Sequence, residues 1–91
     1  MVTRKEEFEA ITKELAELFN NKNQIYGDDF FTGSYSELER WLSIRRKVAR
    51  LSAFYEKGNK DNLVPSETII DTWEDLCVYC VMILMVLRQK K

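Results

Sequence analysis

Apolar residues recur at spacings of three and four along almost the whole chain, and the single proline and three glycines fall between these runs, never inside one. A period near 3.6 lines such residues up on one helix face, whereas a half-buried strand needs strict alternation, which the sequence lacks. In the first run Phe8, Ile11, Leu15, Leu18 and Phe19 make one apolar stripe. Thr3 with Glu6 supplies a capping box at its start, and Asn20-Asn21 an expected end. Ser34 with Glu37 offers a second capping box, opening a helix expected to reach Lys57, where Gly58 provides a stop. A third helix is expected from Ser66 as N-cap toward Arg88. The fold class expected is all-α, an antiparallel three-helix unit forming a single domain over residues 1–91.

A chain of 91 residues closes only a modest core, so full burial of its apolar faces calls for a partner subunit. The third helix is apolar nearly all round from Leu76 to Leu87, and three helices cover only part of that circumference. A homo-oligomer is expected, most simply a dimer whose third helices meet in a four-helix core. The same run is well short of the ~20 apolar residues a membrane helix needs, and no basic segment followed by an apolar one opens the chain. The expected location is therefore cytoplasmic, without membrane association. A net charge of -1 argues against general nucleic-acid binding, which calls for a surplus of Lys and Arg.

Histidine is absent, which removes His-based zinc sites and histidine general bases. Cys77 and Cys80 form a C-x-x-C, but inside the apolar run Leu76 to Leu87 they read as two small buried residues on one helical face. In the second helix Trp41, Ile44, Val48, Leu51 and Tyr55 share one apolar sector and Leu38, Leu42 and Ala49 another, with Arg45 and Ser52 between. An arginine in that arc needs a carboxylate or phosphate opposite it, or must reach out to solvent. Arg40, Arg45, Arg46, Lys47 and Arg50 make this helix the one dense positive patch of the sequence.

The third helix carries the complement. Glu67, Asp71, Glu74 and Asp75 gather on one stripe that continues as Val78, Met82 and Met85, residues expected inside. Stacked like charges require a cation: a divalent metal such as Mg²⁺ or Mn²⁺, which suits oxygen ligands, or the arginines of the second helix. An interhelical salt-bridge network that only specifies packing is the alternative.

Three motifs resemble a known family. Lys22-Asn23-Gln24-Ile25-Tyr26-Gly27 resembles the K-N-x-x-Y-G signature of the nucleotide modification associated domain (type one) family. Lys47-Val48-Ala49-Arg50-Leu51 is similar to its K-x-x-R-L, and the block from Ser66 to Cys80 to its E-S-x-x-D-T-x-x-D-L-x-x-Y. That family is common in phages and related to the all-α MazG-like nucleotide pyrophosphohydrolases. The resemblance implies a nucleotide pocket containing Asn23 and Tyr26, phosphate contacts from Lys47 and Arg50, and a metal face of Glu67, Asp71 and Asp75 for Mg²⁺. Ile25 and Ser43-Ile44-Arg45-Arg46 depart from it where acids are expected, which places nucleotide binding ahead of hydrolysis.

Aromatic density in Tyr26-Gly27-Asp28-Asp29-Phe30-Phe31-Thr32-Gly33-Ser34-Tyr35 fits either reading. Rings on a loop beside charged helices can stack a base. Phe30 and Phe31 read better as a plug for the end of a thin core, while Tyr26 and Tyr35, each with a hydroxyl to satisfy, are the ligand candidates. Two functional expectations follow from different classes: a binding protein that sequesters a nucleotide or nucleotide-derived signal, a cyclic immune signal among them, and a Mg²⁺-dependent nucleoside triphosphate pyrophosphohydrolase. A purely structural oligomer is the third.

Overall fold

The computed structural model describes residues 1–32, 36–58 and 68–89; the side chains of Ile25 and Tyr26 lie outside that description. Three helices, α1 (Arg4–Tyr26), α2 (Glu37–Tyr55) and α3 (Ile69–Gln89), account for most of it, and no strand occurs among the described residues. The all-α expectation holds.

Helix α1 starts at the expected capping box, with the Thr3 side chain accepting from the Glu6 amide while Glu6 closes the box back onto Thr3. It does not stop at Asn20-Asn21. Asn costs less than ~1 kcal/mol in a helix interior, too little to end one that continues to gain tertiary contacts. The chain leaves the helix at Gly27, whose φ of 80° suits a residue without a side chain and whose amide donates to the Asn23 carbonyl at 2.7 Å. The box that opens α2 is Ser36 with Glu39; Ser34, the expected cap, lies outside the described residues. Both pairs satisfy S-x-x-E, so the motif alone cannot fix the register. The helix ends at Tyr55, short of Lys57, with Gly58 following at φ 67°. The expected cap Ser66 lies outside the described residues.

Residues 28–32, just beyond α1, form a built turn. The Asp28 carbonyl accepts from the amides of Phe31 and Thr32, and the Thr32 hydroxyl donates to the Asp29 carbonyl. Arg40 reaches back from α2 to fasten it, its Nε donating to the Phe30 carbonyl at 2.9 Å and its Nη2 to the Thr32 carbonyl at 3.4 Å. Its guanidinium also sits 5.5 Å from the centre of the Phe30 ring. Arg40 is thus the buried arginine of α2, whereas Arg45, the one expected on the inward arc, is exposed. The arc is rotated: Ser43, Ile44 and Leu51 are buried, and Trp41, Val48 and Tyr55 face out.

Helix α3 packs on both α2 and α1. Lys47 meets Asp75 while Tyr55, two turns further along α2, receives a hydrogen bond from Trp73, so α2 and α3 run in opposite senses. Leu51 and Ile69 centre one core cluster, backed by Ala53, Phe54 and Leu76. Phe30 caps the other end as a buried plug against Tyr79 and Phe31, which fulfils the expectation for that ring. Val78 is buried and Met82 half-buried as expected, but Met85 is exposed. Cys77 and Cys80 are exposed free thiols, contrary to the buried reading, because the apolar circumference of α3 exceeds what α1 and α2 cover. Local packing around its sulfur, and then the neighbouring Cys77, push the Cys80 thiol above its ordinary pKa.

Candidate functional site: a lysine-lined groove

The end of α1, the Gly27–Phe30 segment, the middle of α2 and the middle of α3 enclose a groove of about 550 Å³. Each element contributes for a local reason. Lys22 and Asn23 sit on the last turns of α1, on the same side as Phe19, because three- and four-residue steps share a face. Asn23 donates through Nδ2 to the Asp28 carboxylate at 2.8 Å, tying the helix end to the turn beyond Gly27. Asp29 and Phe30 close the near wall, and Val78, Tyr79 and Met82 of α3 the far one.

The charged centre is Asp75, with one lysine on each carboxylate oxygen: Lys22 Nζ at 2.7 Å from Oδ1 and Lys47 Nζ at 3.4 Å from Oδ2. All three side chains are partly screened, Asp75 and Lys47 about three-quarters covered and Lys22 about half. Lys47 also lies 5.9 Å from the centre of the Tyr79 ring, within cation–π range. Two ammonium groups, Lys22 and Lys47, and two carboxylates, Asp75 and Asp29, thus line the groove beside the rings of Phe19, Phe30 and Tyr79.

Of the candidate site residues, Asn23, Lys47 and Asp75 come together in this groove. Arg45, Arg46 and Arg50 stand on α2 and do not line it; the one described bond of Arg46 is a long one, 3.5 Å to the Ser43 hydroxyl. The side chain of Tyr26, and Tyr35 and Glu67 altogether, lie outside the described residues. Among the described residues of the acidic stripe, Asp75 is paired with Lys22 and Lys47 and not with the arginines of α2, because the rotation that buries Arg40 carries Arg45 to the outer face.

Asp71 is exposed and Asp75 already has a lysine on each oxygen, and among the described residues no group of three or more carboxylates or thiols is placed to hold a metal ion. The described part of the stripe forms an ion-pair centre at Asp75, and Glu67, the third carboxylate of the expected Mg²⁺ face, lies outside the described residues. Lys22 and Tyr79 are groove residues that sequence reasoning passes over, although they begin the first motif and close the third. Phe19, read from the sequence as part of the core stripe alone, lines the groove as well.

No protein-family model matches the chain, and no curated protein or solved structure matches it significantly.

Proposed function

We propose that the groove binds a nucleotide or nucleotide-derived signal through its phosphates and holds it intact. The observation that carries this reading is the convergence of Lys22 and Lys47 on the two oxygens of a single carboxylate, beside aromatic rings, in a cavity of ligand size. A phosphate offers oxygen pairs at nearly the spacing of a carboxylate's, so it can take the place of Asp75 between the two ammonium groups. Phe19, Phe30 and Tyr79 supply ring surface on which a base can stack, at ~1–3 kcal/mol per base. The three family-like motifs support the same placement, since each sends at least one residue into the groove: Lys22, Asn23 and Gly27 from the first, Lys47 from the second, Asp75 and Tyr79 from the third.

Sequestration is favoured over Mg²⁺-dependent pyrophosphohydrolysis because both Asp75 oxygens are engaged by lysines and Asp71 is exposed to solvent. No helix is long and apolar enough to cross a membrane among the described residues. A cytoplasmic protein of phage type, acting on a host nucleotide signal, is the setting that suits such a groove. Self-association belongs to the same reading. The accessible surface of 7358 Å² compares with ~5,500 Å² expected for a folded monomer of this mass, an excess of the order of a protein interface.

Calorimetric titration with a panel of nucleotides and cyclic dinucleotides tests the groove. Lys22→Ala and Lys47→Ala are each expected to weaken binding about ten- to a hundredfold, the value of a charge-assisted hydrogen bond, and equally for different bases. Normal affinity in both variants, with intact helical signal, would refute the assignment. Release of pyrophosphate or monophosphate in the presence of Mg²⁺ would replace sequestration by hydrolysis.

A further inference from the structure

The outer face of α3 repeats with a period of seven. Ile70, Cys77 and Leu84 stand at one heptad position, Trp73, Cys80 and Leu87 at the position three residues on, and all six are exposed. The opposite side of α3, carrying Thr72, Asp75, Tyr79, Met82 and Val86, packs on α1 and α2, and Ile69 and Leu76 lie at the border between the two faces. We infer that this seam is the contact for a second copy of the same chain, with the two α3 helices antiparallel about a two-fold axis that passes between Cys77 and Cys80.

Two observations select a second copy as the occupant. The first is the symmetry of the seam. In an antiparallel helix pair the first core position of one heptad layer faces the second core position of the partner. Reversing α3 about the midpoint of Cys77 and Cys80 sets Ile70 against Leu87, Trp73 against Leu84 and Cys77 against Cys80, so every seam residue finds another seam residue. Self-complementarity of one patch is what an isologous two-fold contact requires. The small thiols fall at the centre, where the helices approach most closely, and the bulkier groups at the ends.

The second observation is area. Ile70 is 70% exposed, Leu84 50% and Leu87 48%, each far above what a core position tolerates. Summed over the whole chain, the accessible surface exceeds that of a folded monomer by ~1,800 Å², of which the seam is one part and the exposed groups of α1 and α2 another. The exposed Tyr55 of α2, hydrogen-bonded to Trp73, extends the apolar surface beyond the edge of the seam.

The inference rests on the self-association proposed above and is independent of ligand. Sedimentation of the full chain reads the assembly, and oxidation with diamide reads the register. Diamide accepts two electrons and two protons from a pair of thiols as the S–S bond forms. Cys77 facing Cys80 gives a covalent dimer in the native chain. Cys77→Ser and Cys80→Ser each remove one member of every facing pair, and the remaining like thiols are offset by about 4.5 Å along the helices, which added to the separation across the seam takes their Cα atoms past the ~7 Å limit of a disulfide. Each variant alone should therefore lose about nine-tenths or more of the cross-linking. An equal mixture of the two, dissociated and reassembled, should recover about half of it, since random pairing makes about half of the dimers mixed and each mixed dimer presents one Cys77 to one Cys80. A sedimenting dimer in which either variant alone cross-links as well as the native chain would overturn the register, as would failure of the mixture to recover that half. A monomer at micromolar concentration would overturn the self-association itself.

Discussion

Arg40 holds the Asp28–Thr32 turn in place, because two backbone carbonyls of that turn, Phe30 and Thr32, take their hydrogen bonds from its guanidinium. Replacing it with methionine removes both donors and leaves the buried carbonyl of Phe30 unmatched. The expected loss is about 2–4 kcal/mol in a urea unfolding curve, against less than about 0.5 kcal/mol for Arg45→Met on the exposed face. Equal losses in the two variants would mean that the helix is rotated from the position described. Periodicity puts an arginine in the inward arc but selects Arg45, since an apolar wheel with two flanking sectors allows more than one rotation. The carbonyls that select Arg40 belong to a turn that periodicity does not foresee. Asp75 poses a different question, whether it competes with the ligand or helps it. If it occupies the place of a phosphate between the two lysines, Asp75→Asn should raise nucleotide affinity by about three- to tenfold, while the loss of two partly exposed ion pairs costs under about 1 kcal/mol of stability. A fall in affinity would instead make Asp75 a contact to the ligand or to a cation carried with it.

At the scale of the elements, helix starts and faces divide sharply in how legible they are. The capping box of α1 stands where the sequence places it, whereas α2 offers two overlapping S-x-x-E pairs and the structure uses Ser36 with Glu39. Ser36→Ala should accordingly cost about 1 kcal/mol in a thermal melt followed by circular dichroism, the usual value of an N-cap hydroxyl, and an unchanged melt would reject that start. The end of α1 is hard to read because Asn20-Asn21 looks like a stop, yet the helix must continue before Lys22 and Asn23 can face α3. That extension puts most of the first motif on a helix, and makes Lys22 a site residue where a loop would have left it in solvent. The two cysteines look like core residues because their neighbours are apolar. Periodicity reports which residues avoid water, and cannot tell the face covered within the chain from the face reserved for another.

At the scale of the molecule, six apolar side chains form the buried core among the described residues, and no large side chain among them is fully enclosed. Large apolar groups stand in water on all three helices, from Phe8 and Ile11 of α1 through Trp41 of α2 to the outer seam of α3. The Cα radius of gyration, 15.2 Å, exceeds the ~12 Å of a compact domain of this length, consistent with helices that complete their burial in an assembly. The groove is built within one chain, with Lys22, Lys47 and Asp75 contributed by α1, α2 and α3, so ligand binding and self-association can be measured apart. The measurement that bears most directly on the ligand is retention. The purified protein is incubated with nucleoside mono-, di- and triphosphates and cyclic dinucleotides in the presence of Mg²⁺ and passed through gel filtration, and the small molecules in the protein and free fractions are weighed by mass spectrometry. A phosphate-bearing member of the panel should elute unchanged with the native chain and be lost from a folded Lys22→Ala, Lys47→Ala double variant. Retention of nothing in the panel, or retention undiminished in the double variant, would contradict phosphate binding in the groove.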